Sequence, residues 1–406
     1  MAGSPGNPIP IPRLLNQNRT MFIIISYIFY CCAGLYITGL LIFLSGLYFP
    51  NRKRQSEHLK VSVVIAARNE ETSIGHLLSD LKKQTYPQAC FEVIVADDHS
   101  TDRTAELVRD LVQSDPRFHL MRVNTTEKGL TAKKNAIHQA LQKSRGEIIL
   151  SVDADCRVKS TWIETMVSYF TPETGMVVGF SQLGRRGEKR SIFEKIQALD
   201  FLMLCAAAQG SLNLGIPLAA TGQNLGYRRK AFEEIGGFSK VGHRISGDDV
   251  LLLQLISRHS KWKIRFAPDK RGYNSSNPEQ TLHRFLHQRT RWASNGSYQA
   301  RLNPGFFLYV LNTYITNLTS LTILPVSLLT DQPVVLPAIG LTLKWVAEFL
   351  LAMRGARVYH RTDLLAIFPL WAILQIPYVV YIGAAGTLGQ FTWKNRKHRA
   401  AGRQSV

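Results

Sequence analysis

The sequence predicts an α/β fold with a mainly parallel sheet, flanked by one N-terminal and about three C-terminal helices long enough to cross a membrane. Three observations predict it. β-branched apolar runs alternate with helical repeats through residues 51–300. Polar residues stand at the carboxyl ends of those runs, where open sheets of this kind bind ligands. Uncharged apolar stretches of bilayer length lie on both sides of the block.

Residues 21–49 carry no charge and run into Pro50 and the basic cluster Arg52-Lys53-Arg54. The run is too long for a signal-peptide core and lacks a small-residue cleavage site, so it reads as a retained transmembrane helix. Residues 1–20, rich in Pro and Asn, read as a disordered tail. Residues 61–67 (VSVVIAA) form a first strand covered on both faces. A helical repeat through Ile74, Leu77, Leu78 and Leu81 stops at Tyr86-Pro87. Residues 91–96 form a second strand, after which Thr101 can cap a helix through Leu107, Val108 and Leu111. Residues 118–123 are a third strand, 128–143 a helix, and 147–152 a fourth strand.

Residues 196–218 are mostly apolar but interrupted by Asp200, Gln209 and Pro217, which suits a helix at the membrane interface or under the soluble block. Residues 281–300 are a second interfacial segment. The C-terminal apolar segments are about 306–329, 334–353 and 364–391, followed by a basic tail, 392–406. Lys344 and Glu348 stand one helical turn apart and can pair within the helix cluster.

The chain has 406 residues and a net charge of +20. Its basic clusters lie beside the membrane segments: Arg52 to Arg54, Arg354, Arg357 and Arg361, and residues 394–403. That is the pattern of loops held on the cytoplasmic side against anionic lipid, not of a nucleic-acid surface. The soluble block is therefore expected in the cytoplasm, with the bacterial inner membrane as the setting. A single crossing by the last segment would put the basic tail on the far side, against this rule. Pro369, Pro377 and several glycines leave a kinked or re-entrant course open. The 5 cysteines show no zinc or disulfide spacing. No Gly-x-Gly-x-x-Gly or Gly-Lys-Ser/Thr loop follows the first strand, which argues against a dinucleotide oxidoreductase and a P-loop nucleotidase.

The fourth strand ends in Asp153-Ala154-Asp155. Alternation along extended backbone sends both carboxylates to one side. Two oxygen ligands make half a site for Mg2+ or Mn2+, the rest coming from phosphate oxygens and water. Alone, the pair also reads as a solvated turn.

VSVVIAARNEE, VIVADDHSTDRT and LSVDADC, in this order and spacing, resemble the nucleotide-binding half of a family-2 glycosyltransferase with the Rossmann-like GT-A fold. TGQNLGYRRKAFEEIGGF, residues 221–238, resembles the family's acceptor-side segment, and SGDDVLLLQL, residues 246–255, its acidic pair at a helix start. QRTRW, residues 288–292, fits the Gln-x-x-Arg-Trp motif of the membrane-embedded branch. That branch includes cellulose, hyaluronan and chitin synthases, poly-N-acetylglucosamine synthase and ceramide glucosyltransferase. The resemblance covers residues 61–292.

It implies a membrane-bound, inverting, metal-dependent transfer of a hexosyl or N-acetylhexosaminyl group. The donor would be a nucleotide sugar, a UDP-sugar in the first instance, and the acceptor a lipid or a growing glycan. Asp97 or Asp98 would hold base or ribose, with Arg68, Glu70 and Lys133 also on the nucleotide; Lys134 is a further candidate. Asp153 and Asp155 would bind the metal. Asp249 would be the general base and Asp248, where the family often has Glu, would orient neighbours. Gly222, Gln223 and Asn224 would line the acceptor side. Gln288 and Arg291 would face the diphosphate, which suits arginine's bidentate fork, and Trp292 the acceptor. The alternative for residues 288–292 is an amphipathic helix on the membrane face.

Four membrane segments are few for a polymer channel, so a processive synthase would need helices from partner subunits and single addition to a lipid is favoured. Two other classes compete. A nucleotidyltransferase on a related sheet would not need the acceptor-side segment or QRTRW. A scaffold would not need Asp153, Asp155 or Asp249.

Overall fold

A computed structural model describes residues 11–49, 58–125, 127, 129–184, 187–244, 246–388, 390–393 and 396–399. A long helix, α1 (Ile11–Gly46), leads to the alternating block. The block comprises β1 (Val61–Ala67), α2 (Ile74–Lys82), β2 (Phe91–Asp97), α3 (Thr104–Ser114), β3 (Phe118–Arg122), α4 (Ala132–Lys143) and β4 (Ile148–Ser151). The chain continues through β5 (Arg157–Val158), α5 (Trp162–Val167), β6 (Thr174–Gly179), β7 (Ser181–Leu183), α6 (Ile192–Asn213), β8 (Leu225–Arg228) and α7 (Arg229–Glu234). Then come α8 (Val250–His259), β9 (Lys263–Ala267), β10 (Asn274–Ser276), α9 (Leu282–Ala293) and α10 (Gly296–Leu302). The C-terminal part holds α11 (Pro304–Leu329), α12 (Val335–Val358), α13 (Phe368–Leu388) and a small hairpin, β11 (Gln390–Trp393) and β12 (Arg396–Arg399).

Seven strands form the main sheet in the order β3-β2-β1-β4-β8-β6-β9. β1 to β4 are parallel, whereas β8 runs antiparallel to both β4 and β6. Side-chain alternation divides the core. Val63, Ile65, Val93 and Val95 pack against Leu77 and Leu81 of α2 and Val108 of α3. Val64, Ile94 and Ile149 face α4, α6 and α8 on the other side. Burial of each such side chain stabilises by ~1.5–3 kcal/mol, so a sheet covered on both faces reads as the continuous apolar runs seen in the sequence.

α6 carries the membrane helices on the sheet. Its start is fixed by a Ser191–Glu194 capping box. Gly210 lies so close to α1 that a Cβ there would stand 2.0 Å from the Phe43 carbonyl oxygen. Asn213 Nδ2 donates to Gly46 O at 2.9 Å. At the end of α12, Tyr359 donates to Cys205 O at 3.0 Å and stacks on Phe180 with centroids 3.8 Å apart. Among the described residues, four helices are long and apolar enough to cross a membrane: 19–46, 304–329, 335–358 and 362–387. Inside the bundle Lys344 Nζ pairs with Glu348 at 2.7 Å, as the spacing predicts, and donates to Gln375 Oε1 at 3.2 Å. Tyr36 donates to the same Glu348 at 2.9 Å.

Several expectations are corrected. The first helix starts at Ile11, because Pro12 in a first turn costs no helical hydrogen bond; of the expected tail, residues 1–10 lie outside the described residues. So do Arg52 to Arg54 and most of the basic tail. Thr101 does not cap α3; Asp102 Oδ1 accepts from the Thr104 amide at 3.0 Å instead. The interfacial helix ends at Asn213 rather than 218, and residues 281–300 break into α9 and α10 at Ser294-Asn295.

Candidate active site

Strand order reverses direction at β1, with β2 and β3 on one side and β4 on the other. A crevice opens there, beyond the carboxyl ends of the parallel strands. The loops after β1 and β2 face each other across it. Asn69 and His99 both adopt positive φ, 55° and 59°, a conformation for which Asn and His are enriched. That shape lets the loops clasp: Asn69 N donates to Ser100 Oγ at 3.0 Å, and Thr101 N to Asn69 Oδ1 at 2.8 Å. Glu70 N donates to Thr104 Oγ1 at 2.8 Å, and the Glu70 carboxylate accepts from Ser73. Asp97 is buried and accepts from the Ser100 amide at 3.1 Å. Asp98, also buried, lies 3.6 Å from Arg68 and 3.1 Å from His99.

Asp153 and Asp155 lie in a turn, not on extended backbone. Cys156 N closes it on Asp153 O at 3.0 Å. Burial still alternates: Ala154 and Cys156 point inward and the two carboxylates outward. Desolvation in the cleft, then the charges of Asp153 and Glu70, push the Asp155 carboxyl up to about 7.

The second acidic pair opens α8. Asp249 Oδ1 accepts from Val250 N at 2.6 Å, and its Oδ2 accepts from Gly222 N at 2.8 Å, tying the segment before β8 to the helix start. Lys133, in the first turn of α4, joins the two motifs. Its Nζ is 2.8 Å from Asp153 Oδ1 and 2.7 Å from Asp248 Oδ2. Burial works against the ammonium, but Asp153 and Asp248 outweigh it and raise the lysine well above its ordinary value. For Asp248 burial pushes up, and the charges of Lys133 and Lys134 prevail to hold the carboxyl at about 2. Asp249 goes the other way: burial, then the Asp248 charge, raise it. A Cβ on Gly222 would stand 3.4 to 3.6 Å from Asp249 Oδ2, Asp248 Oδ2 and Lys133 Nζ, so Gly222 roofs the cluster.

Arg291 of α9 faces the same carboxylates. Burial lowers its pKa, while Asp248, Asp153 and Asp249 favour its charge. Gln288 is one turn back and donates to Glu279 at 3.0 Å. Trp292 packs inward, under the Arg289 guanidinium at 4.3 Å and beside Phe201.

The structure thus brings together Lys133, Asp153, Asp155, Asp248, Asp249, Gly222 and Arg291, with Arg68, Glu70, Asp97 and Asp98 along the crevice. Trp292, packed inward beside Arg289 and Phe201, is not part of this cluster, and Asn224 and Lys134 also point elsewhere. Asn224 is fully buried; it donates to Phe180 O and Gly272 O, each at 2.9 Å, and accepts from Trp162 Nε1 at 2.9 Å. Lys134 turns from the crevice and donates to Arg244 O and Ser246 O. The Gln223 main-chain oxygen is taken by Asn274.

Sequence reasoning missed one partnership. Arg289 and Asp200, 2.9 Å apart and buried, lock α9 to α6, and Trp371 of α13 donates to Asp200 at 3.4 Å. The available signal was a lone acid inside an apolar helix, since a buried charge requires a partner.

Residues 62–236 match the family model described as glycosyl transferase family 2. A beta-monoglucosyldiacylglycerol synthase of Nostoc sp. is 30% identical over 247 residues, 60% of this chain and 50% of that protein. A poly-beta-1,6-N-acetyl-D-glucosamine synthase of Staphylococcus epidermidis is 25% identical over 249 residues, 60% of this chain and 56% of that protein. The chain spans about half the length of the curated relatives it matches. Among solved structures, the mannosyltransferase PcManGT from Pyrobaculum calidifontis, in complex with GDP-Man and Mn2+, shares the fold. Its TM-score is 0.59 at 20% identity, over 91% of this chain and 98% of that one.

Proposed function

We propose that this chain transfers a sugar from a nucleotide-sugar donor to a membrane lipid, with Asp249 as general base; the match of residues 62–236 to the glycosyl transferase family 2 model, on a GT-A-like fold, supports this reading. One observation carries the proposal: Lys133 Nζ joins Asp153, at the donor side, to Asp248, beside the base, within 2.8 Å of each. A donor diphosphate and an acceptor hydroxyl can therefore be held by one charged cluster, as a single displacement with inversion requires.

Within that cluster the roles follow from charge and attachment. Asp97 and Asp98 hold the nucleoside, with Arg68 beside them. Asp248 is a poor base at about 2 and serves to hold Lys133. Asp249 has the raised carboxyl suited to taking the acceptor proton. Arg291 lies where negative charge leaves with the nucleoside diphosphate.

A divalent cation fits. Asp153 and Asp155 repel each other, and a hard cation relieves that repulsion. No third His, Cys, Asp or Glu completes a cage among the described residues, so the donor's phosphates and water would supply the other oxygens. Bound there, Mg2+ or Mn2+ would neutralise the leaving diphosphate; the GDP-Man and Mn2+ of the Pyrobaculum enzyme support this.

Single addition is favoured over processive synthesis by the filling of the α1–α11–α12 bundle. Tyr309 packs on Gly39 and Phe29 on Gly340, and Lys344, Glu348 and Tyr36 close the interior. The glucolipid synthase among the relatives agrees with a lipid acceptor. Arg354 and Arg357, at the end of α12 beside the catalytic block, favour the cytoplasmic face.

The test is nucleotide release by the full chain in lipid, with a panel of UDP- and GDP-sugars and Mg2+ or Mn2+. Release with one donor, absent in Asp249→Asn and accompanied by a labelled glycolipid, supports the proposal. A labelled polymer would favour processive synthesis, and no nucleotide binding at all would overturn the assignment.

A further inference from the structure

Length and composition qualify α13 as a span, and it touches the crossing helices at Gln375, which accepts from Lys344 of α12, and at Gly383, beside Tyr314 of α11, but both of its ends pack on the catalytic block. We infer that α13 rests in the leaflet on the catalytic side, both of its ends on that side, with its outer face against lipid.

Its start is tied to the catalytic block. Tyr359 stacks on Phe180, and Arg361 Nη1 donates to Gly184 O at 3.1 Å. A 3-10 turn, Thr362–Ile367, then delivers α13, whose Trp371 reaches Asp200 of α6.

Its end returns to the same place. Tyr378 stacks on Phe285 with centroids 5.3 Å apart. Gly386 sits against the end of α9, where a Cβ would be 2.6 Å from Ala293 Cβ. Residues 378 to 386 and 285 to 293 are equal steps, about 12 Å of helix each, so the last two turns of α13 run alongside α9. α9 contains Arg284, Arg289 and Arg291, and Arg291 faces the carboxylate cluster. A helix so charged does not span hydrocarbon. A crossing α13 would instead carry Leu388 about 30 Å away from the catalytic face.

The occupant of the outer face follows from continuity. Leu370, Ile373, Leu374 and Tyr381 are exposed on α13, as are Leu343 and Val346 on α12 and Leu311 and Leu321 on α11. Acyl chains covering the two crossing helices cover α13 too. Arg396, Lys397 and Arg399 of β12 then stay on the side of Arg354 and Arg357, where anionic headgroups attract them.

Two measurements on the full chain in sealed proteoliposomes test this without reference to activity. Single-cysteine variants in a background lacking Cys31, Cys32, Cys90, Cys156 and Cys205 are exposed to a membrane-impermeant maleimide. Ser405→Cys should label from the same side as Ser114→Cys, on the catalytic block, and labelling should be lost when reagent is confined to the side that labels Pro333→Cys. Labelling of Ser405→Cys from the Pro333 side, or from both sides in a uniformly oriented preparation, overturns the inference. Spin labels at Ile373→Cys and Tyr381→Cys report depth. A crossing helix separates them by nearly 12 Å, about their distance along the axis; nearly equal depths are expected, and the full separation refutes the placement.

Discussion

Replacement of Asp249 by Asn separates chemistry from architecture. The carboxylate accepts from Val250 N through one oxygen and from Gly222 N through the other. Asn keeps the shape and one acceptor, and caps helices about as well as Asp. The lost second bond to a charged acceptor costs ~1.5–3 kcal/mol of stability. Loss of the base costs ~10²–10⁴ in kcat, about 3–5 kcal/mol of barrier. The variant should therefore fold, bind donor nearly as wild type does, and turn over slowly. The assay is nucleotide release at saturating donor, paired with a donor titration. A donor Kd that weakens by the same factor as kcat, or a kcat within about tenfold of wild type, would falsify the assignment of Asp249 as base. The pH profile adds a second check. A base acts ionised, so activity is present above its pKa and is lost as pH falls through it. Burial and the Asp248 charge raise Asp249, which puts the acid limb of kcat above the range of an ordinary aspartate. A limb near pH 2, where Asp248 is held, would transfer the role to Asp248.

Gly222→Ala places a methyl at ordinary contact distance, 3.4 Å from Asp249 Oδ2, so the thermal midpoint should hold while kcat/KM falls; a midpoint loss in step with activity would mean a structural role only. Arg289→Met strands a buried Asp200 and should cost ~3–5 kcal/mol, whereas Arg289→Met with Asp200→Leu should recover most of it. Chemical unfolding of the three proteins reads this, and additive losses would refute the pairing. Chelation of divalent cations should weaken nucleotide binding in the wild type, with recovery on adding Mg2+ or Mn2+. Asp153→Asn and Asp155→Asn should show no such response; an unchanged wild-type Kd in chelator would exclude the cation from donor binding.

The strands β1 to β4, the helices between them and the four apolar helices were legible in the sequence, because each leaves a local record. Side chains alternate at period two along a strand and repeat every three to four residues along a helix, and a bilayer imposes an uncharged run of known length. The candidate ligands were legible as well, since carboxylates at strand ends and helix starts keep close spacing along the chain. Other features depend on contacts between distant segments. Nothing near Asn224 says that Trp162, Phe180 and Gly272 will enclose it, and nothing near Lys133 and Lys134 says which of the two neighbours turns to the crevice. Periodicity ranks them alike; packing of α4 against the loop before α8 sends Lys134 inward and leaves Lys133 between Asp153 and Asp248. The course of α13 was undecidable for the same reason. Its composition satisfies a membrane span and a buried interfacial helix equally, and only the arginine-bearing α9 beside it distinguishes them. Local chemistry along the chain determined which elements form and where carboxylates cluster, and tertiary packing decided where each side chain points and which charges meet.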